Sequence, residues 1–201
     1  AGTTGLSLED RVKYSLCQPV AKGLIYEVVY LKPLSRHFEN TYHNCSSINL
    51  YDEDISNILL SGGIIGLSFD QRILGFADES VIPGLTVPHD MEYISHDEAD
   101  FFLGPQPTSL RVWQDDTDVW AAEDFENLDP SLYIDTHRRL LVNNIIHIIW
   151  VAYKNNSINI KDAVKQICIG SDFDGLINAI DCCKQTTDMN QLKKDMHADM
   201  Q

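Results

Sequence analysis

The sequence predicts an α/β fold built on a parallel sheet. Three observations carry that expectation. Strand-like and helix-like segments alternate along the chain, two of the strand-like segments are short apolar runs (one bounded by glycines, one ending in glycine), and a long amphipathic segment stands between them. Parallel strands need a crossover, usually a helix, so alternation and parallel pairing go together.

The elements follow in order. Residues 23–31 (GLIYEVVYL) are rich in β-branched and aromatic side chains and run out near Pro33, which predicts a first strand. Residues 49–61 (NLYDEDISNILLS) set Ile55, Ile58 and Leu59 on one helical face. Acidic residues crowd the first turn, where they complement the helix dipole, and Gly62-Gly63 supplies the stop. Residues 64–69 (IIGLSF) read as a strand covered on both faces. Asp129-Pro130 gives an N-cap with proline at the first helical position. Leu141, Ile145, Ile148 and Ala152 then fall on one face of a long helix that Asn155-Asn156 ends. Residues 166–170 (QICIG) read as another buried strand, running straight into Ser171-Asp172-Phe173-Asp174-Gly175. A last helix is expected from Thr187 or Asp188, holding Leu192 and Met196. In parallel sheets the chemistry sits at the carboxyl ends of the strands, so the segments after Leu31, Phe69 and Gly170 are the ones to watch.

Composition narrows the function. The chain has 201 residues with 44% hydrophobic side chains, enough for one domain with a real core. Lys and Arg number 15 against 30 Asp and Glu, a net charge of −15, and no basic cluster is present. Phosphate contacts need clustered Lys and Arg, so a nucleic-acid partner and an anionic membrane surface are both disfavoured. The most apolar stretch, Ile145–Tyr153, is too short to span a bilayer. The five cysteines (Cys17, Cys45, Cys168, Cys182 and Cys183) form neither a disulfide framework nor a C-x-x-C pair, which leans towards reduced thiols and a reducing compartment. The chain opens Ala-Gly-Thr-Thr-Gly rather than with Met, so a targeting signal upstream stays open and localisation is undecided.

Between Ala77 and Pro130 the composition shifts. This stretch holds 14 acidic residues against one basic residue, Arg111, with five of the seven prolines and two tryptophans. It reads as a long irregular excursion inserted after a strand. Loops after parallel strands emerge at the carboxyl face, so it is expected to cover the mouth of a pocket. His89 and His96, with Asp90, Asp97, Glu98 and Asp100, could bind a divalent cation or simply form a solvated acidic loop.

Other candidates for chemistry stand at strand ends. Asp172 and Asp174 follow the last strand at once and could act as a general base, bind a metal, or form a turn. His37 lies shortly after the first strand, with His43 six residues on; either could be a metal ligand or an inert surface histidine. His147, beside the apolar stripe of the long helix, reads as a satisfied helix histidine, and Cys182-Cys183 as packing. No Gly-rich phosphate loop, G-x-S-x-G elbow or H-E-x-x-H motif occurs.

Residues 167–175 (ICIGSDFDG) closely resemble the G-[SG]-D-F-D-G signature of the membrane (renal) dipeptidase family, within the metal-dependent amidohydrolases. Residues 49–55 (NLYDEDI) and 61–67 (SGGIIGL) resemble that family's R-N-[LV]-x-D-[DE]-x-[IL] helix and the N-G-G-[VI] strand after it. Asn144–Ile148 resembles its D-H-[IL]-x-H-[IL] helix, with His147 at the second His. The family places a metal-binding His about a dozen residues before the Asn of the first motif, and His37 stands twelve before Asn49.

The resemblance implies a (β/α)8 TIM barrel with two zinc ions that hydrolyses dipeptides or similar small amides. Asp172 would be the acid/base residue and His37 one metal ligand, with His43 its rival. The family's first strand carries an H-x-D metal pair, and none of the three predicted strands contains one. Whole barrels need ~250 residues, so the chain is expected to be the C-terminal part of such a barrel, with residues 77–130 as an acidic insertion. The implied partner is a small peptide or amide, with no nucleic acid, no membrane span and room for a homodimer. A non-catalytic relative that has lost its metal centre is the alternative reading.

Overall fold

The fold was analysed in a computed structural model, which describes residues 2–13, 15–20, 25–30, 41–44, 48–77, 91–95, 130–171 and 179–200. The elements run α1 (Leu8–Lys13), β1 (Ser15–Val20), β2 (Ile25–Tyr30), β3 (Thr41–Tyr42), α2 (Asp52–Leu60), β4 (Ile65–Leu67), α3 (Gln71–Leu74), β5 (Phe76–Ala77), β6 (Met91–Ser95), α4 (Pro130–Lys154), α5 (Ile160–Lys165), β7 (Ile167–Ile169) and α6 (Met189–Asp199). A 3₁₀ turn, Thr186–Asp188, leads into α6.

Helix α2 forms and stops as its sequence dictates. The Asp54 carboxylate accepts the Tyr51 backbone N–H (3.1 Å), and Asp52, Glu53 and Asp54 fill the positive first turn. At the other end Gly62 takes the left-handed conformation (φ 77°). Gly63 N–H then donates to Ile58 O and Gly62 N–H to Leu59 O, the Schellman pair that only a residue at ease with positive φ allows.

Strands β4 and β7 pair in parallel, Ile65 opposite Ile167 and Leu67 opposite Ile169. Gln166 staples this pair to α2: its side-chain amide donates to Leu59 O (3.1 Å) and Gly63 O (2.8 Å). One face of the pair is covered. Ile65 and Leu67 join Ile55, Leu59, Leu141, Ile148, Val151 and Ala152 in a single core to which α5 adds Ala163 and α6 adds Leu192. Among the described residues the other face is not covered as the apolar runs predicted. Cys168 is exposed and Gly66 only half-buried, whereas the described core residues gather on the side of Ile65 and Leu67.

Two strands depart from the sequence reading. Strand β2 lies at the expected residues but outside the β4–β7 sheet. It pairs antiparallel with β1, Ser15 opposite Tyr30, and with β6, Ile25 opposite Ser95. Only four residues separate β1 from β2, and a connection that short suits an antiparallel hairpin, whereas parallel pairing needs a crossover. Strand β6 stands inside the stretch read as irregular; the Tyr and Ile of Met91–Ser95 favour a strand, but acidic neighbours masked them and the partner β2 decides the outcome. The rest of residues 78–129 lies outside the described residues. Among the described residues, no helix is long and apolar enough to cross a membrane.

Helix α4 joins these parts. It packs against α2, α3, β3 and β5, and against α5 and α6. The Arg138 guanidinium grips Asp199 of α6 through two bonds (2.5 and 3.2 Å) and Asp135 one turn back (2.8 Å). The bond to Asp199 holds Arg138 even more firmly charged than usual. Replacing Arg138 by Met should lower unfolding stability by about 2 kcal/mol, since bidentate charged bonds to a half-buried partner are lost. Asp135→Asn should cost under about 0.5 kcal/mol, because that carboxylate is 53% exposed. Urea denaturation of the two variants checks the contrast.

Candidate functional site

The carboxyl ends of β4 and β7 are tied together on both sides of the signature segment. Before it, Gly170 N–H donates to Leu67 O (2.8 Å). After it, Ile180 N–H donates to Phe69 O (2.9 Å), Asp70 forms a bridge with Ala179, and the Gln71 side chain donates to Ala179 O (2.7 Å). Gly170 and Ala179, on either side of positions 171–178, are thus both held at the end of β4. Gly66 and Gly170 make this approach close: a Cβ on Gly170 would stand 3.5 Å from the Gly66 backbone. Asp172 and Asp174 themselves, and His37, lie outside the described residues.

A buried polar cluster lies on the other side of α4, and its bond directions can be derived. The Asn144 amide nitrogen donates to Leu74 O and Leu140 O, each at 2.8 Å, so its oxygen is the acceptor. That oxygen takes the Thr3 N–H (2.7 Å) and the Thr3 hydroxyl (2.9 Å). Thr3 Oγ1, having given its one hydrogen, must accept from His43 Nδ1 at 3.0 Å. His43 Nε2 then accepts from the Asn143 amide nitrogen at 3.1 Å. All four side chains, and His147 beside them, are fully buried.

His43 is therefore a neutral imidazole protonated at Nδ1. A metal ion could reach Nε2 only by displacing the Asn143 amide. His147 is wholly buried, its Nε2 meets Asp52 Oδ1 at 2.7 Å, and its ring stacks on Trp150 (5.6 Å, 22°). The His43 and His147 rings stand 5.0 Å apart. Asn49, the first residue of the matching helix motif, also works as a tie. It accepts from Gly2 N–H (2.9 Å) and donates to Asn44 O (3.0 Å) and Ile73 O (2.7 Å).

No family model, curated protein or solved structure matches this chain. Among the described residues no group of three or more His, Cys, Asp or Glu side chains is placed to hold a metal ion. One H-x-D triplet does exist, His197-Ala198-Asp199, but it lies in α6. Residues two apart on a helix point about 200° from one another, and Asp199 is taken by Arg138.

Sequence reading assigned no role to Asn143, Asn144 or Thr3, and none to Asp52 beyond its helix dipole. A signal was present. Asn143, His147, Trp150 and Lys154 repeat the i, i+4, i+7, i+11 spacing of the apolar stripe, displaced by two residues, so α4 carries a second stripe, buried at Asn143 and His147 and reaching the surface at Lys154. Cys182 and Cys183 are packing, as expected: burial pushes their thiols up to about 12 and about 11 respectively, too high for a thiolate nucleophile near neutral pH.

His137 supplies a pH-dependent contact beside the same strand ends. Its Nδ1 accepts the Asp181 backbone N–H at 3.1 Å. Burial lowers its proton affinity below the ordinary value of 6.5, and the opposing pull of the Asp181 carboxylate does not restore it. The unfolded chain therefore binds a proton that the folded chain resists, and acid favours unfolding. Stability is expected to fall as pH drops through about 6.5, by at most about 1.4 kcal/mol per pH unit from this group. The His137→Gln variant should show a shallower loss between about pH 7 and pH 5 in urea denaturation.

Proposed function

We propose that the chain is the C-terminal part of a metal-dependent hydrolase that cleaves the amide bond of dipeptides or similar small amides. What supports this reading is the parallel, in-register pairing of β4 with β7. These are the two strands that carry the family-like motifs, and they come from points about a hundred residues apart in sequence. Alternation by itself favours parallel pairing; what supports the motifs is that the two strands carrying them are immediate neighbours. Their carboxyl ends lead to residues 68–70 and 171, where catalytic groups of parallel α/β folds stand.

In this reading Asp172 is the general base and acid. It accepts a proton from the attacking water and returns it to the leaving amine. Asp174, beside Gly175, accepts backbone N–H groups and fixes the turn. His37 offers an imidazole to zinc, a donor type zinc prefers, whereas His43 has both ring nitrogens committed. Zinc, when bound, supplies water acidic enough to attack a carbonyl at neutral pH.

The test uses the intact protein with zinc and a panel of dipeptides. Asp172→Asn should cut kcat by ~10²–10⁴-fold while leaving zinc content and Tm nearly unchanged, because the amide is isosteric but cannot take the proton. His37→Ala should lower the zinc content measured by atomic absorption. Near-normal turnover in Asp172→Asn sinks the catalytic assignment. An intact protein that binds no zinc and cleaves no dipeptide passes the case to a non-catalytic binding relative.

A further inference from the structure

We infer that His43 and Asn143 form a buried latch built to hold in two protonation states, keeping residues 2–6 against α4 whether or not His43 is charged. The neutral state is the one derived above, with His43 Nδ1–H donating to Thr3 Oγ1 and the Asn143 amide nitrogen donating to His43 Nε2. That arrangement leaves Asn143 Oδ1 with no hydrogen-bond partner among the described residues, although Asn143 is 0% exposed. Buried carbonyls are rarely left so.

A proton from solvent arriving at Nε2 would turn that acceptor into a donor facing the donor of Asn143. Half a turn of the Asn143 amide about its last torsion resolves the conflict, because it brings Oδ1 to the place that Nδ2 held. The otherwise unused oxygen then accepts from Nε2–H, and Thr3 keeps its bond to Nδ1–H. The amide is the part that must turn. The His43 ring is wedged against Gly5, where even an added Cβ would stand 2.6 Å from it.

The described titratable groups around His43 suit a second proton. On α4 the His147 ring stands 5.0 Å away, and behind it on α2 the Asp52 carboxylate holds His147 Nε2. The N-terminal segment contributes Thr3 and Gly5, neither of which is charged. A carboxylate one ring removed offsets the new cation without touching it.

The test is a pH titration of the ¹⁵N-labelled full chain from about pH 8 to about pH 5, following imidazole and side-chain amide signals by NMR. At high pH His43 should show a protonated Nδ1 and a bare Nε2. As it gains its second proton, the Asn143 side-chain NH₂ signals should move with the same midpoint while the backbone amides of residues 3–6 stay in place. Asn143→Leu, which removes the acceptor, should lower that midpoint by about one pH unit or more, a charged hydrogen bond being worth at least tenfold. A His43 protonated at Nε2 at high pH overturns the proposal. So do Asn143 signals that ignore the His43 titration, or unfolding before His43 is protonated. Should Asn143→Leu fail to fold, the titration of the unaltered chain decides alone.

Discussion

The side-chain amide of Asn144 sets the direction of every hydrogen bond around it. It is wholly buried, and it joins three pieces of chain that are far apart in sequence: Thr3, Leu74 and its own helix at Leu140. Its two donors are fixed by backbone carbonyls, so its oxygen can only accept. That one asymmetry passes outward to Thr3, then to His43, then to Asn143. A buried amide deprived of such partners costs roughly 1–3 kcal/mol for each group left unmade, so the four bonds hold or fail together.

Helix α4 can serve as the centre of the domain because it buries two different stripes. Leu141, Ile148 and Ala152 close the apolar core with Leu67 and Ile55, while Asn143, Asn144 and His147 meet the polar N-terminal segment and His43. Hydrophobic burial is strong but non-directional, so the first stripe supplies the bulk of the cohesion. Hydrogen bonds are weaker in net energy but directional, so the second fixes how Gly2–Leu6 and His43–Asn49 lie on the helix. Asp52 links the two regions, since it sits in the first turn of α2 and holds His147.

Each side of α4 therefore has a separate task. The apolar side fixes the β4–β7 pair, whose carboxyl ends carry the signature segment and are clamped at Gly170 and again at Ile180. Two short strands alone would not hold that register; the Gln166 staple to α2 and the covering helices do. The polar side fixes His43, six residues beyond His37.

Local chemistry alone determined several features. The acidic first turn and Gly62-Gly63 bound α2, Pro130 opens α4 and Asn155 closes it, and short apolar runs next to glycine mark β4 and β7. Each depends on residues within one turn or one strand, which is why the sequence shows them. Only the tertiary structure decided the rest. It set β2 in an antiparallel sheet, made Met91–Ser95 a strand, left Cys168 exposed, and joined His43, read as a candidate metal ligand, to the unremarked Asn143 in a buried pair. These outcomes depend on partners some 50 to 140 positions away in the chain, as with Thr3 and Asn144, separated by 141. A strand's neighbour and a histidine's tautomer are properties of the partner as much as of the residue, and periodicity within a segment carries no record of who that partner is.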